Sequence, residues 1–219
     1  MSNKPDAKYI KTFSANFEIL CISLLIDAYK LAIIENEYSQ DWNEDDFTNY
    51  LVSLILKNPR TESEKLFVKK QSEPDNENLP HKDTKDDPAK QPVIDIWLAN
   101  WKEHKNEYYI EAKNLANENW QKSYGAKVKA SDLKRRYINS GMYNFLTGRY
   151  PKGCLAGYVI KSKADECTKG INKLLKKYGR AGEILKKRKF IKGFDNSYIS
   201  SHPSNERVKS LKHVFLEFD

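Results

Sequence analysis

Apolar positions recur at helical spacing between residues 13 and 38, taking in Phe13, Phe17, Leu20, Leu24, Ile26, Tyr29, Ala32 and Ile33. That spacing predicts an N-terminal helix, or a helix pair broken near Tyr29. A second helix is predicted to start near Asp41 to Asn43. Asp and Asn supply a cap there, and Glu44, Asp45 and Asp46 suit the positive end of the helix. Its apolar stripe runs through Phe47, Tyr50, Leu51, Leu54 and Ile55 and stops at Asn58-Pro59. The period then changes from about 3.6 to 2. Leu66 to Lys70 reads as a first strand, and residues 73 to 91, with Pro74, Pro80 and Pro88 and almost nothing apolar, read as a long mobile loop. Two more strands follow, Val93 to Leu98 and Tyr108 to Lys113. The connection from Asn100 to Glu107 is short enough for an antiparallel hairpin. Lys129 to Phe145 is predicted helical, capped by Ser131, with Leu133, Tyr137, Ile138, Met142 and Phe145 facing inward. Gly153 to Ile160 reads as a strand, Ala164 to Tyr178 as an amphipathic helix, and Glu183 to Ile191 as a basic helix or turn. Tyr198 to Ser201 and Val214 to Phe218 read as closing strands. The chain is long enough for one substantial core, so a single α/β domain is expected.

The two central strands carry charge where strands usually bury Val or Ile. Val93, Asp95 and Trp97 share one face, and Tyr109, Glu111 and Lys113 share another. If the strands pair, two carboxylates and an ammonium converge. Buried charge is costly unless it is paired or holds a metal, so this cluster points to a working site. An acid-x-Lys pattern occurs five times in the chain: Asp6-x-Lys8, Asp83-x-Lys85, Glu103-x-Lys105, Glu111-x-Lys113 and Asp132-x-Lys134. Only Glu111 directly follows an aromatic and β-branched run, Tyr108-Tyr109-Ile110, of the kind that favours strands.

Asp95, Glu111 and Lys113 in this setting resemble the PD-(D/E)XK, or restriction-endonuclease-like, superfamily of metal-dependent nucleases. The literal Pro-Asp pair is not kept, since Ile94 precedes Asp95 and Pro92 lies three residues before it. The resemblance implies a mixed β-sheet flanked by helices, with an αβββαβ core over residues 41 to 162. The N-terminal helix, residues 1 to 40, would be an extension, and residues 163 to 219 would add basic helices and closing strands. It also implies a divalent cation, Mg²⁺ with Mn²⁺ able to substitute, held by Asp95, Glu111 and the backbone carbonyl of Ala112. An acid from the preceding helix often completes such a site. Glu44 is the candidate, with Asp45 and Asp46 as alternatives. Lys113 would orient or deprotonate the attacking water and steady the developing charge, and the products would carry 5′-phosphate and 3′-hydroxyl ends. The run Arg149-Tyr150-Pro151 followed by Gly157-Tyr158-Val159 looks like small nuclease-fold proteins from bacterial defence loci.

Charge distribution adds a partner. Residues 1 to 110 hold 14 Lys or Arg against 20 Asp or Glu, and residues 111 to 219 hold 24 against 10, giving −6 and +14. A basic half interleaved with Tyr124, Tyr137, Tyr150, Tyr158 and Tyr178 suits a polyphosphate track. Lys134, Arg135, Arg136, Arg149, Lys152, Ser200, Ser201, His202 and Arg207 are the candidate nucleic-acid contacts.

Three cysteines, Cys21, Cys154 and Cys167, lack metal-ligand spacing and leave an odd number for disulfides, which points to a reducing, cytoplasmic setting. The opening residues lack the apolar core of a signal peptide. The longest apolar stretch, Ile19 to Ile26, is too short to span a bilayer, so no membrane partner is expected. His81, His104, His202 and His213 are scattered, and none is expected to meet a serine or cysteine as a nucleophile requires. The expected function is therefore a Mg²⁺-dependent DNA endonuclease, an effector in restriction or anti-phage defence. With no separate target-recognition segment, specificity or activation falls to a partner protein of a defence or repair complex. The alternatives are a catalytically silent nuclease-fold module that binds nucleic acid or a partner, and a repair or recombination nuclease. DNA versus RNA and the oligomeric state, a dimer included, stay open.

Overall fold

The computed structural model describes residues 7–72, 94–102, 105–202 and 210–218. The mobile loop expected at 73 to 91, Val93, His81, His104 and Arg207 lie outside the described residues. Seven strands form one mixed sheet with helices on both faces.

Helix α1 (Ala7–Glu35) is continuous, which settles the choice between one helix and a broken pair. Tyr29 does not interrupt it. The Tyr29 hydroxyl donates to the Glu217 carbonyl at 3.1 Å, and its ring meets Phe194 and Phe218 edge-on. Helix α2 (Glu44–Lys57) starts at a capping box in which Asn43 and Asp46 exchange side-chain and backbone hydrogen bonds. Phe47, Leu51, Leu54 and Ile55 bury its apolar stripe. A short helix α3 (Pro59–Ser63) then leads into β1 (Phe67–Ser72).

Strands β2 (Ile94–Asn100) and β3 (Asn106–Leu115) form the expected antiparallel hairpin. A small ribbon follows, β4 (Trp120–Gln121) with β5 (Lys127–Val128), which the apolar pattern does not announce. Helix α4 (Ala130–Arg136) runs through a π-helical segment (Tyr137–Met142) into α5 (Tyr143–Leu146). Ser131 is not its cap. It lies inside the first turn, and the side chain of Asn119 instead accepts the Ala130 amide at 2.9 Å. Strand β6 (Gly153–Ile160) returns parallel to β3, as a crossover requires. Gly153 is needed at its start because a Cβ there would sit 1.8 Å from the Tyr109 carbonyl oxygen.

Helix α6 (Ala164–Lys177) agrees with expectation, and of the two alternatives for Glu183 to Ile191, a basic helix or a turn, the helix does not form. That stretch holds one 3₁₀ turn (Ala181–Glu183) and an edge strand β7 (Lys186–Lys187), because Lys186 and Lys187 pair with β8 (Ser197–Ser201). The last strand, β9 (Ser210–Phe218), does not close an edge. It enters the sheet between β6 and β8, giving the order β1-β2-β3-β6-β9-β8-β7. Its run of apolar residues explains the position, since Val214, Phe215, Leu216 and Phe218 need cover on both faces. One core layer lies between the sheet and α1 with α2. The other lies under α4, α5 and α6. No helix among the described residues is long and apolar enough to cross a membrane.

Candidate active site

The hairpin register pairs Ile96 with Ile110, which sets Asp95 abreast of Glu111 on the face beneath α4 and α5. Lys113 follows two residues later on the same face. All three are nearly inaccessible, with Asp95 9 % exposed, Glu111 4 % and Lys113 6 %. The Lys113 ammonium lies 2.7 Å from Glu111 Oε1, 3.0 Å from Glu44 Oε1 and 3.8 Å from Asp95 Oδ2. It also donates to the Ala112 carbonyl at 2.5 Å. The Ala112 amide donates to Asp95 Oδ2 at 2.6 Å, which ties β2 to β3 at the site.

Glu44 is the helix acid that reaches this cluster. As the first residue of α2 it points from the helix N-terminus to β3, where its Oε2 accepts the Asn114 amide at 3.1 Å. Asp46 is occupied by the capping box, and Glu44 is the acid of this turn whose oxygens meet the Lys113 ammonium and the Asn114 amide, so geometry separates it from its two alternatives. Gly141, in the π-helical segment, lets the helix lie close to Lys113. A Cβ at Gly141 would come 3.3 Å from Lys113 Cγ and 2.9 Å from a Leu155 methyl, so the bare backbone there restricts the lysine stem.

Three carboxylates face one buried ammonium, leaving the cluster with an excess of negative charge. Burial raises the Asp95 carboxyl to about 7, with Lys113 opposing the shift and Glu111 reinforcing it. Burial likewise raises Glu111, again opposed by Lys113. For Lys113, burial works against the charged form, but Glu111, Glu44 and Asp95 outweigh it and hold its pKa above the ordinary lysine value. Lys113 is therefore a fixed cation at neutral pH.

Asn144 on α5 donates to Glu111 Oε1 at 3.3 Å and accepts from Arg149 Nη1 at 3.0 Å. Tyr150 also acts on the Glu111 carboxylate, yet Glu111 Oε2 is buried without a well-formed hydrogen bond. Asn144 was invisible to the sequence pattern because it sits between two inward apolar residues, Met142 and Phe145, with nothing to mark it as facing an acid.

Among the described residues no three His, Cys, Asp or Glu side chains meet as a ready metal cage. Lys113 instead stands among the carboxylates. The donor set nonetheless fits a hard divalent cation. It offers carboxylate and carbonyl oxygens, three acids around one buried ammonium, and a Glu111 Oε2 without a well-formed hydrogen bond.

The expected nucleic-acid contacts divide. The Arg136 side chain is 60 % exposed and its Nη2 lies 3.8 Å from Glu44 Oε1, at the rim of the site. Arg135 is exposed and paired with Asp132. Arg149 reaches the site through Asn144. Lys134 is buried, with its ammonium 3.4 Å from the Asn117 carbonyl and side-chain oxygens. Lys152 turns to α1 and donates to the carbonyl of Ser14 at 2.9 Å.

His202 is not placed to touch phosphate, and it does meet a serine, which reverses both expectations for it. Ser200 Oγ lies 2.7 Å from His202 Nε2 and 2.8 Å from His213 Nε2, while His202 Nδ1 is 2.6 Å from Glu183 Oε2 and His213 Nδ1 is 2.7 Å from the Tyr137 hydroxyl. Burial lowers the pKa of both imidazoles, that of His213 to about 3, and the hydrogen bond from Arg180 keeps Glu183 ionised. One assignment then satisfies every group: Tyr137 donates to His213, His213 to Ser200, Ser200 to His202, and His202 to the Glu183 carboxylate. Ser200 is 1 % exposed, so the chain braces β8, β9 and the π-helical segment and offers no nucleophile.

The His213 shift has a definite pH sign. An unfolded imidazole binds its proton below about 6.5, whereas the folded one stays neutral down to about 3. Stability from this group is present above about pH 6.5 and falls by about 1.4 kcal/mol per unit as pH drops toward 3. Urea denaturation of wild type and His213→Gln at pH 7, 5 and 4 should show the wild-type advantage shrinking with acid. A constant difference would mean that His213 is not held neutral.

No protein-family model, curated protein or solved structure matches this chain.

Proposed function

We propose that this chain is a divalent-metal-dependent nuclease of the PD-(D/E)XK kind, hydrolysing phosphodiester bonds in DNA as an effector of restriction or anti-phage defence. The observation that carries the reading is the meeting of Asp95, Glu111, Glu44 and Lys113 within one buried cluster. Those residues come from two strands and a helix N-terminus that are separated in sequence. A fold does not retain uncompensated buried acids for stability, since apolar residues of like volume do as well or better. The succession of a helix, three antiparallel strands, a helical crossover and a parallel strand is the αβββαβ order that the resemblance implies.

In this reading Asp95, Glu111 and the Ala112 carbonyl hold the cation, and Glu44 completes the set. The cation, when bound, neutralises charge at the phosphate and acidifies the attacking water. Lys113 keeps its proton, so its part is electrostatic. It orients the water and offsets charge that builds on the phosphoryl oxygens, and it is not the base. Asn144, itself held by Arg149, positions Glu111 through Oε1, the oxygen that Lys113 also meets. Arg136 at the rim, with Arg135 beside it on the same helix, meets the incoming backbone.

The test is direct. Purified protein incubated with plasmid, linear and single-stranded DNA and with RNA should cut DNA in Mg²⁺ or Mn²⁺ and leave it intact in EDTA. Absence of cutting under every metal condition, or equal cutting in EDTA, would remove this reading.

A further inference from the structure

A cleft of about 340 Å³ opens beside the carboxylate cluster, lined by Glu44 and Asp45 of α2, Asn114 of β3, Trp120 and Lys122 of the β4–β5 ribbon, and Arg136 of α4, among others. Three buried side-chain polar atoms in the described residues lack a hydrogen-bond partner. One is Glu111 Oε2, and the other two, Asn114 Oδ1 and Trp120 Nε1, both belong to residues lining this cleft. An unmet buried donor and an unmet buried acceptor each cost about 1–3 kcal/mol, and both atoms belong to residues in the wall of this one cleft, so a ligand seated there that reached both would recover that cost.

We propose that this cleft receives one unstacked nucleobase of the strand bound at the carboxylate cluster, with Trp120 Nε1 donating to the base and Asn114 Oδ1 accepting from it. The inference rests on the nucleic-acid reading above and adds how the strand is gripped. The Watson–Crick edge of each nucleobase, free once the base is unstacked and unpaired, carries both a hydrogen-bond donor and an acceptor, which is the complement these two atoms need. The volume sits at the lower end of the roughly 300–1,000 Å³ typical of ligand clefts, and a paired duplex cannot enter it. Val128 and Leu133 supply apolar wall for a flat ring, and Arg136 at the rim can meet the adjoining phosphate.

The cleft shares Glu44 and Arg136 with the candidate active site, so a base held here sits next to the phosphate that the carboxylates would address. The β4–β5 ribbon that carries Trp120 has only two residues per strand. It is tied to the segment before α2 through Lys122, which donates to the Asp41 carbonyl at 2.6 Å, and through the Ser123 amide, which donates to Asp41 Oδ1 at 2.9 Å. These ties hold the ribbon, and with it Trp120, at the wall of the cleft. Extrusion of a base is cheapest from a strand already single or mispaired, so single-stranded or distorted DNA is the substrate class that this grip favours.

The experiment compares fluorescence anisotropy of two labelled strands of equal length and charge, a single-stranded deoxyoligonucleotide and its fully abasic counterpart, in EDTA so that nothing is cut. Wild type should bind the base-bearing strand more tightly. Trp120→Phe, which keeps a ring and removes the donor, and Asn114→Leu, which removes the acceptor at similar volume, should each weaken that strand about five- to tenfold and leave the abasic strand unchanged. Thermal melts establish that each variant is folded, and if one is not, the other decides. Variants that weaken both strands alike, or neither, would overturn the base-binding cleft while leaving the nuclease reading in place. Binding of neither strand by wild type would overturn the nucleic-acid reading itself. Base-dependent binding without metal-dependent cutting would support the cleft and remove the nuclease.

Discussion

Lys113→Met is expected to lower Mg²⁺-dependent cleavage of plasmid DNA by about 10²–10⁴-fold, the range for losing a positioned charge-stabilising group. Methionine keeps the unbranched stem that passes close to Gly141, so the helix above the site has no reason to move. What disappears is the only buried cation among Asp95, Glu111 and Glu44. Burial already pushes both Asp95 and Glu111 up, and Lys113 is the main force holding each of them down. Without it the acids take up protons at neutral pH, so the variant loses cation binding as well as the charge that faces the phosphate. Initial cleavage rates over a Mg²⁺ titration measure both effects. Activity within tenfold of wild type would show that Lys113 is a structural counter-ion and nothing more.

Asp95→Asn should abolish cleavage and at the same time make the metal-free protein more stable at pH 8. An unfolded aspartate titrates near 3.9, whereas Asp95 in the fold is raised to about 7. Between those values the folded chain holds a proton that the unfolded chain has released, so stability is highest below about pH 4 and declines as pH rises to about 7. The full shift corresponds to about 4 kcal/mol, and sharing of protons among Asp95, Glu111 and Lys113 reduces what one substitution recovers to about 1–3 kcal/mol. Asparagine has the same shape and keeps an oxygen for the Ala112 amide. Lys113 loses only its longest ion pair and keeps Glu111 and Glu44. Urea midpoints in EDTA at pH 5 and pH 8 provide the measure, with the variant's gain clearly larger at pH 8 than at pH 5. A variant less stable than wild type at pH 8 would refute the account of Asp95 as a destabilising buried charge. The His213 contribution runs the opposite way with pH and is common to both proteins, so it cancels in the comparison.

Both results concern a site whose strand residues were legible early. Asp95, Glu111 and Lys113 could be assigned to one face because side-chain alternation along a strand is local geometry, and the short link from β2 to β3 forces the two strands together. The start of α2 was legible for a similar reason, since a capping box spans only Asn43 to Asp46. Glu44 was one of three acids in that turn, and choosing among them required the direction in which the helix N-terminus points relative to β3.

Elsewhere local signals misled. Ser131 is a good capping residue by type, but the helix begins one residue earlier, where Asn119 supplies the cap. The basic run after Glu183 reads locally as a helix or a turn, and the edge strand it forms at Lys186 and Lys187 is unannounced, because pairing with β8 supplies hydrogen bonds that a short isolated helix lacks. His202 reads in sequence as a phosphate contact and is instead an interior link between Ser200 and Glu183.

The sequence by itself determined the long helices, most of the strands, the separation of an acidic first half from a basic second half, and the charged face shared by Asp95, Glu111 and Lys113. All of these depend on interactions within a few residues or on composition. Tertiary structure alone decided that β9 enters between β6 and β8, that Glu44 and not Asp45 or Asp46 meets Lys113, and that Asn144 turns onto Glu111. It also placed Asn114 and Trp120 around one cleft. Each of these joins residues that are not neighbours in the chain, and such contacts are set by how whole layers pack, which no local periodicity encodes.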